Sequence, residues 1–155
     1  MEIRHYTEED SLEISNIARR CFKEINSKFY PESVIKYMYD FYTPQSIIDR
    51  ARKEQFFVYV DNNQVLGSGS INIAEKYIET VFVNPDFHRK KIGKQIMARL
   101  EKYSIEKKVK IVYIDSSLNA IDFYKKLGYK KIKMIHDPNF GTSCRMKKKL
   151  SKCMI

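Results

Sequence analysis

Residues 83–96 read VNPDFHRKKIGKQI. Four consecutive basic or imidazole side chains, His88, Arg89, Lys90 and Lys91, stand at the mouth of a helix that begins near Gly93. A helix N-terminus carries partial positive charge and disfavours cations, so this cluster calls for an anion. The unpaired N–H groups of a first helical turn point at whatever lies beyond it. Two adjacent phosphates would satisfy both those groups and the surplus cations. Strand, basic loop, Gly93 and helix thus read as a phosphate cradle, although basic runs taken alone are commonly solvated turns. Two further groups could do chemistry. Glu79, in ETVF, is a carboxylate in a mostly apolar strand, with the same period as Val81 and Val83. Burying it is costly unless it is used or paired. Tyr124, in AIDFYKKLGY, is a phenol at helical spacing, which by itself describes a core aromatic.

Hydrophobic spacing supplies the elements that must hold these groups. EIRHY (Glu2–Tyr6) alternates like a short strand. Ile14, Ile17, Ala18, Cys21, Phe22 and Ile25 share one helical face, predicting a helix over residues 9–25. Pro31 and Pro44 suit first turns of short helices over 31–41 and 44–53. QFFVYVD and QVLGSGSINIA read as strands joined by an Asn-Asn turn, followed by the strand KYIETVFV, an antiparallel meander. Ile92, Ile96, Leu100 and Tyr103 line the helix after the basic loop. VKIVYID is a continuous apolar run, as expected of a buried strand of parallel type. The helix of Ala120, Phe123, Tyr124 and Leu127 stops at Gly128, and a final antiparallel pair flanks DPNFG. The order predicts one α/β domain over residues 1–155, with helices flanking a mixed sheet.

The composition agrees. At 155 residues, 43% hydrophobic and 31% charged, the chain can build an ordinary core and reads as soluble. No apolar run approaches the roughly 20 residues of a membrane span, and no secretory leader is visible, so a cytoplasmic location is expected. Cys21, Cys144 and Cys153 are odd in number and lack CxxC spacing, which argues against a disulfide framework and against a metal site. The formal charge of +10 favours anionic ligands without choosing among them.

The chain resembles the GCN5-related N-acetyltransferase superfamily, in which acetyl-coenzyme A (acetyl-CoA) donates its acetyl group to an amine. The family's central motif, V-x-P-x-(Y/F)-(R/Q)-x-x-G-x-(G/A), is met by Val83, Pro85, Phe87 and Gly93. His88 stands where Arg or Gln is usual, and Lys91 where the first glycine is usual. If the loop demands positive φ there, lysine costs on the order of 1 kcal/mol. The second motif, A-x-x-(F/L)-Y-x-x-x-G-(F/Y), is matched in full from Ala120 to Tyr129. The resemblance implies a mixed, mostly antiparallel sheet flanked by helices, and acetyl-CoA as donor cosubstrate. It implies that the backbone at Phe82 and Val83 holds the pantetheine arm. His88, Arg89, Lys90, Lys91, Ile92, Gly93 and Lys94 would hold the pyrophosphate. Ser117 occupies the position of a frequent family Asn, with Asn119 nearby, and both are expected at the cofactor.

Amine attack on a thioester needs a base, donors for the carbonyl oxygen and a proton for the leaving thiolate. Tyr124 stands where the family's frequent general acid stands. Glu79 matches the base of the histone-acetylating members, or else it pairs with a lysine from a neighbouring segment or lies exposed at a strand end. His136 and Asp115 are weaker candidates; Asp115 could simply cap the next helix. The acceptor is expected between residues 22–41 and 136–144, where Phe22, Phe29, Tyr30, Tyr37, Tyr39, Phe41 and Tyr42 suit an amine with an apolar body. Small-molecule and protein amines both stay open, as does a homodimer. Two other readings are an acetyltransferase directed at charged tRNA and a non-catalytic acetyl-CoA-binding module. The lysines are spread along the sequence and strand residues alternate faces, so a nucleic-acid partner is not expected.

Overall fold

The computed structural model describes residues 1–152. The chain runs β1 (Glu2–His5), α1 (Ser11–Glu24), α2 (Glu32–Phe41), α3 (Pro44–Arg50), β2 (Gln55–Asp61), β3 (Gln64–Asn72) and β4 (Tyr77–Val83). It continues through α4 (Ile92–Glu106), β5 (Ile111–Ser117), α5 (Ile121–Lys126), β6 (Lys130–Asp137) and β7 (Gly141–Lys149). The strands form one seven-stranded sheet in the order β1-β2-β3-β4-β5-β7-β6. Every neighbouring pair is antiparallel except β4 and β5. Cys153 lies outside the described residues.

Local chemistry accounts for the joints. Asn62 and Asn63 both take left-handed backbone, as a two-residue hairpin turn requires, and the predicted meander β2-β3-β4 follows. Thr43 accepts from the Ser46 N–H, and Pro44 opens α3. Gly67 and Gly69 on β3 let α4 approach closely: a Cβ on Gly69 would lie 2.7 Å from Ile96 and 2.8 Å from Leu100.

Apolar clusters occupy both faces of the sheet. Ile92, Ile96, Met97 and Leu100 of α4 pack with Phe57, Ile71, Val112, Ile114 and Met146 on one face. Ile14, Ile17 and Cys21 of α1 and Ile47 of α3 cover Phe56, Val58 and Val60 on the other, with Phe22, Val34, Ile35 and Met38 beside them. No helix among the described residues is long and apolar enough to cross a membrane.

Two expectations need correction. β5 is buried on one face only: Val112, Ile114 and Ser116 point inward, whereas Tyr113 is half-exposed and Asp115 exposed. The basic side chains are not dispersed either. Cross-strand pairing sets Lys130 and Lys147 opposite each other, Lys133 opposite Arg145, and Tyr113 opposite Lys147, on one shared face. Alternation separates neighbours along a strand, but strand pairing gathers alternate residues from several strands.

Candidate active site

β4 and β5 are seven residues each, yet their parallel ladder holds a single register pair, Tyr77 with Tyr113, locked by the Tyr113 N–H on the Lys76 carbonyl at 2.9 Å. Beyond it the strands part. On the other side, the Asn84 N–H bonds the Leu66 carbonyl at 2.8 Å, and Phe82 faces Ser68 in the same register. Antiparallel ladders alternate bonded and unbonded pairs, so Phe82 turns its peptide groups to β3 and Val83 turns its own toward the split. Of the two residues expected to lend backbone contacts, Val83 faces the split, while Phe82 bonds β3 and packs its ring against Phe22 and Tyr42. The Val83 carbonyl is already taken by the His88 Nε2 at 2.7 Å and the Cys21 Sγ at 3.3 Å. Burial pushes the Cys21 thiol up to about 12, so it stays a neutral donor. The Val83 N–H is left facing the split.

The basic loop turns on two left-handed residues, Arg89 and Lys91, each at φ 64°. The position where a glycine is usual does demand positive φ. Lys91→Gly is expected to gain up to about 1 kcal/mol of stability in urea titration, while weakening anion binding at low salt. The first turn of α4 carries no acidic residue and no side-chain cap, so the N–H groups of Ile92, Gly93 and Lys94 remain available. The Ile92 side chain is buried in the core, leaving only its backbone to the site. Lys91 and Lys94 are exposed, and Lys90 leans over the Phe87 ring at 5.1 Å. The bond from His88 Nε2 to the Val83 carbonyl folds the loop back onto β4. A Cβ on Gly93 would meet Phe123 at 3.2 Å, so α5 sits directly against the loop.

α5 ends in a paired cap: the Gly128 N–H bonds the Lys125 carbonyl at 3.0 Å and the Tyr129 N–H the Tyr124 carbonyl at 3.1 Å. This fixes Tyr124, whose ring packs edge-on against Phe123 and Tyr129. Tyr124 is 8% exposed, its hydroxyl has no hydrogen-bond partner among the described residues, and burial pushes the phenol above its ordinary value. Asn119 stands in the turn before α5 with its Oδ1 buried and without a partner among the described residues, whereas Ser117 is half-buried on β5 opposite Ser143.

Glu79 departs from the strand period. Thr80 takes φ 53° in a bulge, and the register shifts between Ser68 and Ser70. Val81 and Val83 consequently join the α4 face, while Glu79 turns to the α1–α3 face. There Arg50 binds Glu79 Oε2 at 2.7 Å and also pairs with buried Glu54 at 3.0 Å. Ser70 donates to Glu54 at 2.8 Å. The partner is thus an arginine of α3, not a lysine. Burial first, and Glu54 second, push the Glu79 carboxyl above its ordinary value against the opposing pull of Arg50. Asp115 does not cap a helix; it is paired with Arg145 at 2.9 Å. His136 Nδ1 lies 3.0 Å from the Thr142 hydroxyl on the exposed hairpin.

The early aromatics divide. Phe22 and Tyr30 are buried. The Tyr30 hydroxyl donates to the Thr142 carbonyl at 2.7 Å and accepts from the Leu118 N–H at 2.9 Å, fastening the α1–α2 connection to β5 and β7. Arg19 and Lys23 each place a cation 4.4 Å from the Tyr39 ring centroid. Tyr37 and Phe41 form an exposed cluster with Phe140, and Phe41 leads through Tyr42 to Phe82 at centroid spacings of 5.4 Å.

A parted pair of parallel strands, with a basic loop and a bare helix N-terminus at their open end, defines the acetyltransferase class of fold. The acetyltransferase (GNAT) domain family model matches residues 17–150, and the chain belongs to that family. It is 29% identical to the uncharacterized N-acetyltransferase YafP of Escherichia coli, a match covering 59% of this chain and 64% of that protein. Among solved structures, a GCN5-related N-acetyltransferase from Rhodopseudomonas palustris superposes with a TM-score of 0.89 at 20% identity, covering 96% of this chain and 95% of that one. The PaiA N-acetyltransferase of Thermoplasma acidophilum, in complex with coenzyme A, gives 0.80 at 22% identity, covering 96% and 98%.

Proposed function

We propose that the protein is an acetyl-CoA-dependent N-acetyltransferase acting on a primary amine with an apolar body. The observation that carries this reading is the parting of β4 and β5, with the Val83 N–H facing the gap and the first turn of α4 closing its end. Acetyl-CoA supplies an activated acyl group as a thioester. The N–H groups of Ile92, Gly93 and Lys94, with Arg89 and the lysines, suit its pyrophosphate. The unpartnered Asn119 Oδ1 suits an amide N–H of the pantetheine arm. The Val83 N–H is a donor for a carbonyl oxygen that gains charge. Glu79 takes the amine proton at Oε1, since Arg50 holds Oε2. Tyr124 holds a proton at its hydroxyl for the leaving sulfur. Tyr37, Phe41 and Phe140 receive the apolar body of the acceptor.

Calorimetry with acetyl-CoA, followed by thiol release across amine classes, tests the proposal. Binding is expected at low salt and should weaken as salt rises. Aromatic and aliphatic amines should outperform hydrophilic ones. Folded protein that does not bind acetyl-CoA at low salt would sink it.

A further inference from the structure

On β5, β7 and β6, the face turned away from α4 and α5 meets α2 only at one end, where Gly141 lies against Tyr30 and Val34; toward Ile111 and Lys149 no helix among the described residues covers it. The apolar clusters beneath α1, α2 and α3 draw on β2, β3 and β4, and on none of these three strands. Pairing arranges the open face into rows: Tyr113, Lys147 and Lys130 in one, Ile111 and Lys149 in the next, Asp115, Arg145 and Lys133 in a third. The four lysines are exposed. Tyr77 of β4 extends the first row, its ring stacked on Tyr113 with centroids 5.6 Å and planes 27° apart. One end of the face opens into a hollow of about 370 Å³, walled by Ile73, Ile111 and Tyr113 and rimmed by Lys76, Lys107, Lys108 and Lys110. No carboxylate lines that hollow. On the strands, Asp115 is held by Arg145, and Asp137 accepts two backbone N–H groups of its own turn.

Like charges placed opposite each other on a sheet are destabilising without a counter-charge. Half-exposed aromatic rings among cations make a stacking platform for bases, with the cations tracking phosphates. We infer that this face docks single-stranded nucleic acid. Phosphates run along Lys147, Lys149 and Lys130, and bases rest on Tyr113 and Tyr77 and in the hollow beyond. A duplex keeps its base faces stacked inside, so the tyrosines select unpaired strands. A second copy of this chain does not suit the face, because a two-fold contact would set lysines against lysines. The surface lies at the Tyr77 end of β4, opposite the Val83 end where the basic loop begins, and the inference does not rest on the acetyl-transfer reading.

Fluorescence anisotropy of a short labelled oligouridine on the whole protein tests it. The affinity should fall with salt at a log–log slope of about −3, corresponding to roughly four neutralised phosphates. The double variant Lys147→Glu/Lys149→Glu should weaken binding roughly tenfold or more. Tyr113→Leu should weaken it about tenfold, and Tyr113→Phe should restore it, since stacking needs the ring and not the hydroxyl. Saturating coenzyme A should leave the oligouridine bound. Calorimetric binding of acetyl-CoA should be unchanged in the lysine variant. The inference is overturned by absence of binding at low salt, by displacement with coenzyme A, or by indifference to the substitutions. Equal affinity for a polyglutamate of matched charge, for a duplex or for phosphatidylserine vesicles overturns it too.

Discussion

Replacing Tyr124 by Phe is expected to lower kcat about 10²-fold, the usual scale for a positioned acid or base, while acetyl-CoA affinity stays nearly unchanged. The substitution removes one oxygen and keeps the ring that packs against Phe123 and Tyr129. Because no protein group bonds that hydroxyl among the described residues, its removal strands no partner, and thermal stability should hold. Burial raises the phenol's pKa, so it remains protonated throughout the neutral range, the state that the proposed acid role requires. Steady-state kinetics with the best amine, alongside acetyl-CoA calorimetry, give the answer. Full turnover in Tyr124→Phe would mean that the phenol is structural and the thiolate leaves unassisted.

The position of Tyr124 was legible in the sequence because its causes are local. The AIDFYKKLGY segment contains both the helix and the glycine that stops it, and Gly128 at φ 97° makes the cap that fixes the preceding turn. The meander and the basic loop were legible for the same reason: paired asparagines, a proline and the start of an amphipathic helix are neighbours in sequence. Lys91 was readable down to its backbone strain. The surroundings of Glu79 were not. Its face depends on a bulge at Thr80, which no glycine announces, and its partner Arg50 comes from a helix 29 positions earlier. Nor could the sequence show that Phe140, from the far hairpin, meets Tyr37 and Phe41, or that lysines of β6 and β7 share a face. Those are consequences of strand order β5-β7-β6, which hydrophobic spacing does not encode.

Glu79→Gln is the sharper test of proton transfer, because its effect depends on pH. Wild-type kcat/KM should fall as pH drops through the Glu79 pKa, since a protonated carboxyl cannot accept from the amine. That limb lies above the ordinary carboxylate range, because burial and Glu54 raise the value more than Arg50 lowers it. In the glutamine variant the reaction draws only on amine that is already neutral, and the limb moves up to the pKa of the acceptor amine. The deficit should be small in alkali, where most acceptor is neutral. It should widen as pH falls to about 10²-fold, then level off below the Glu79 pKa, where both enzymes lose rate in parallel. Arg50→Met provides the converse: without the guanidinium the carboxylate loses its counter-charge, and the limb should move to higher pH. A Glu79→Gln deficit of the same size at every pH would assign Glu79 to positioning, with the ion pair to Arg50 holding α3 against β4. A limb that stays put in Arg50→Met would remove Glu79 from the proton path altogether.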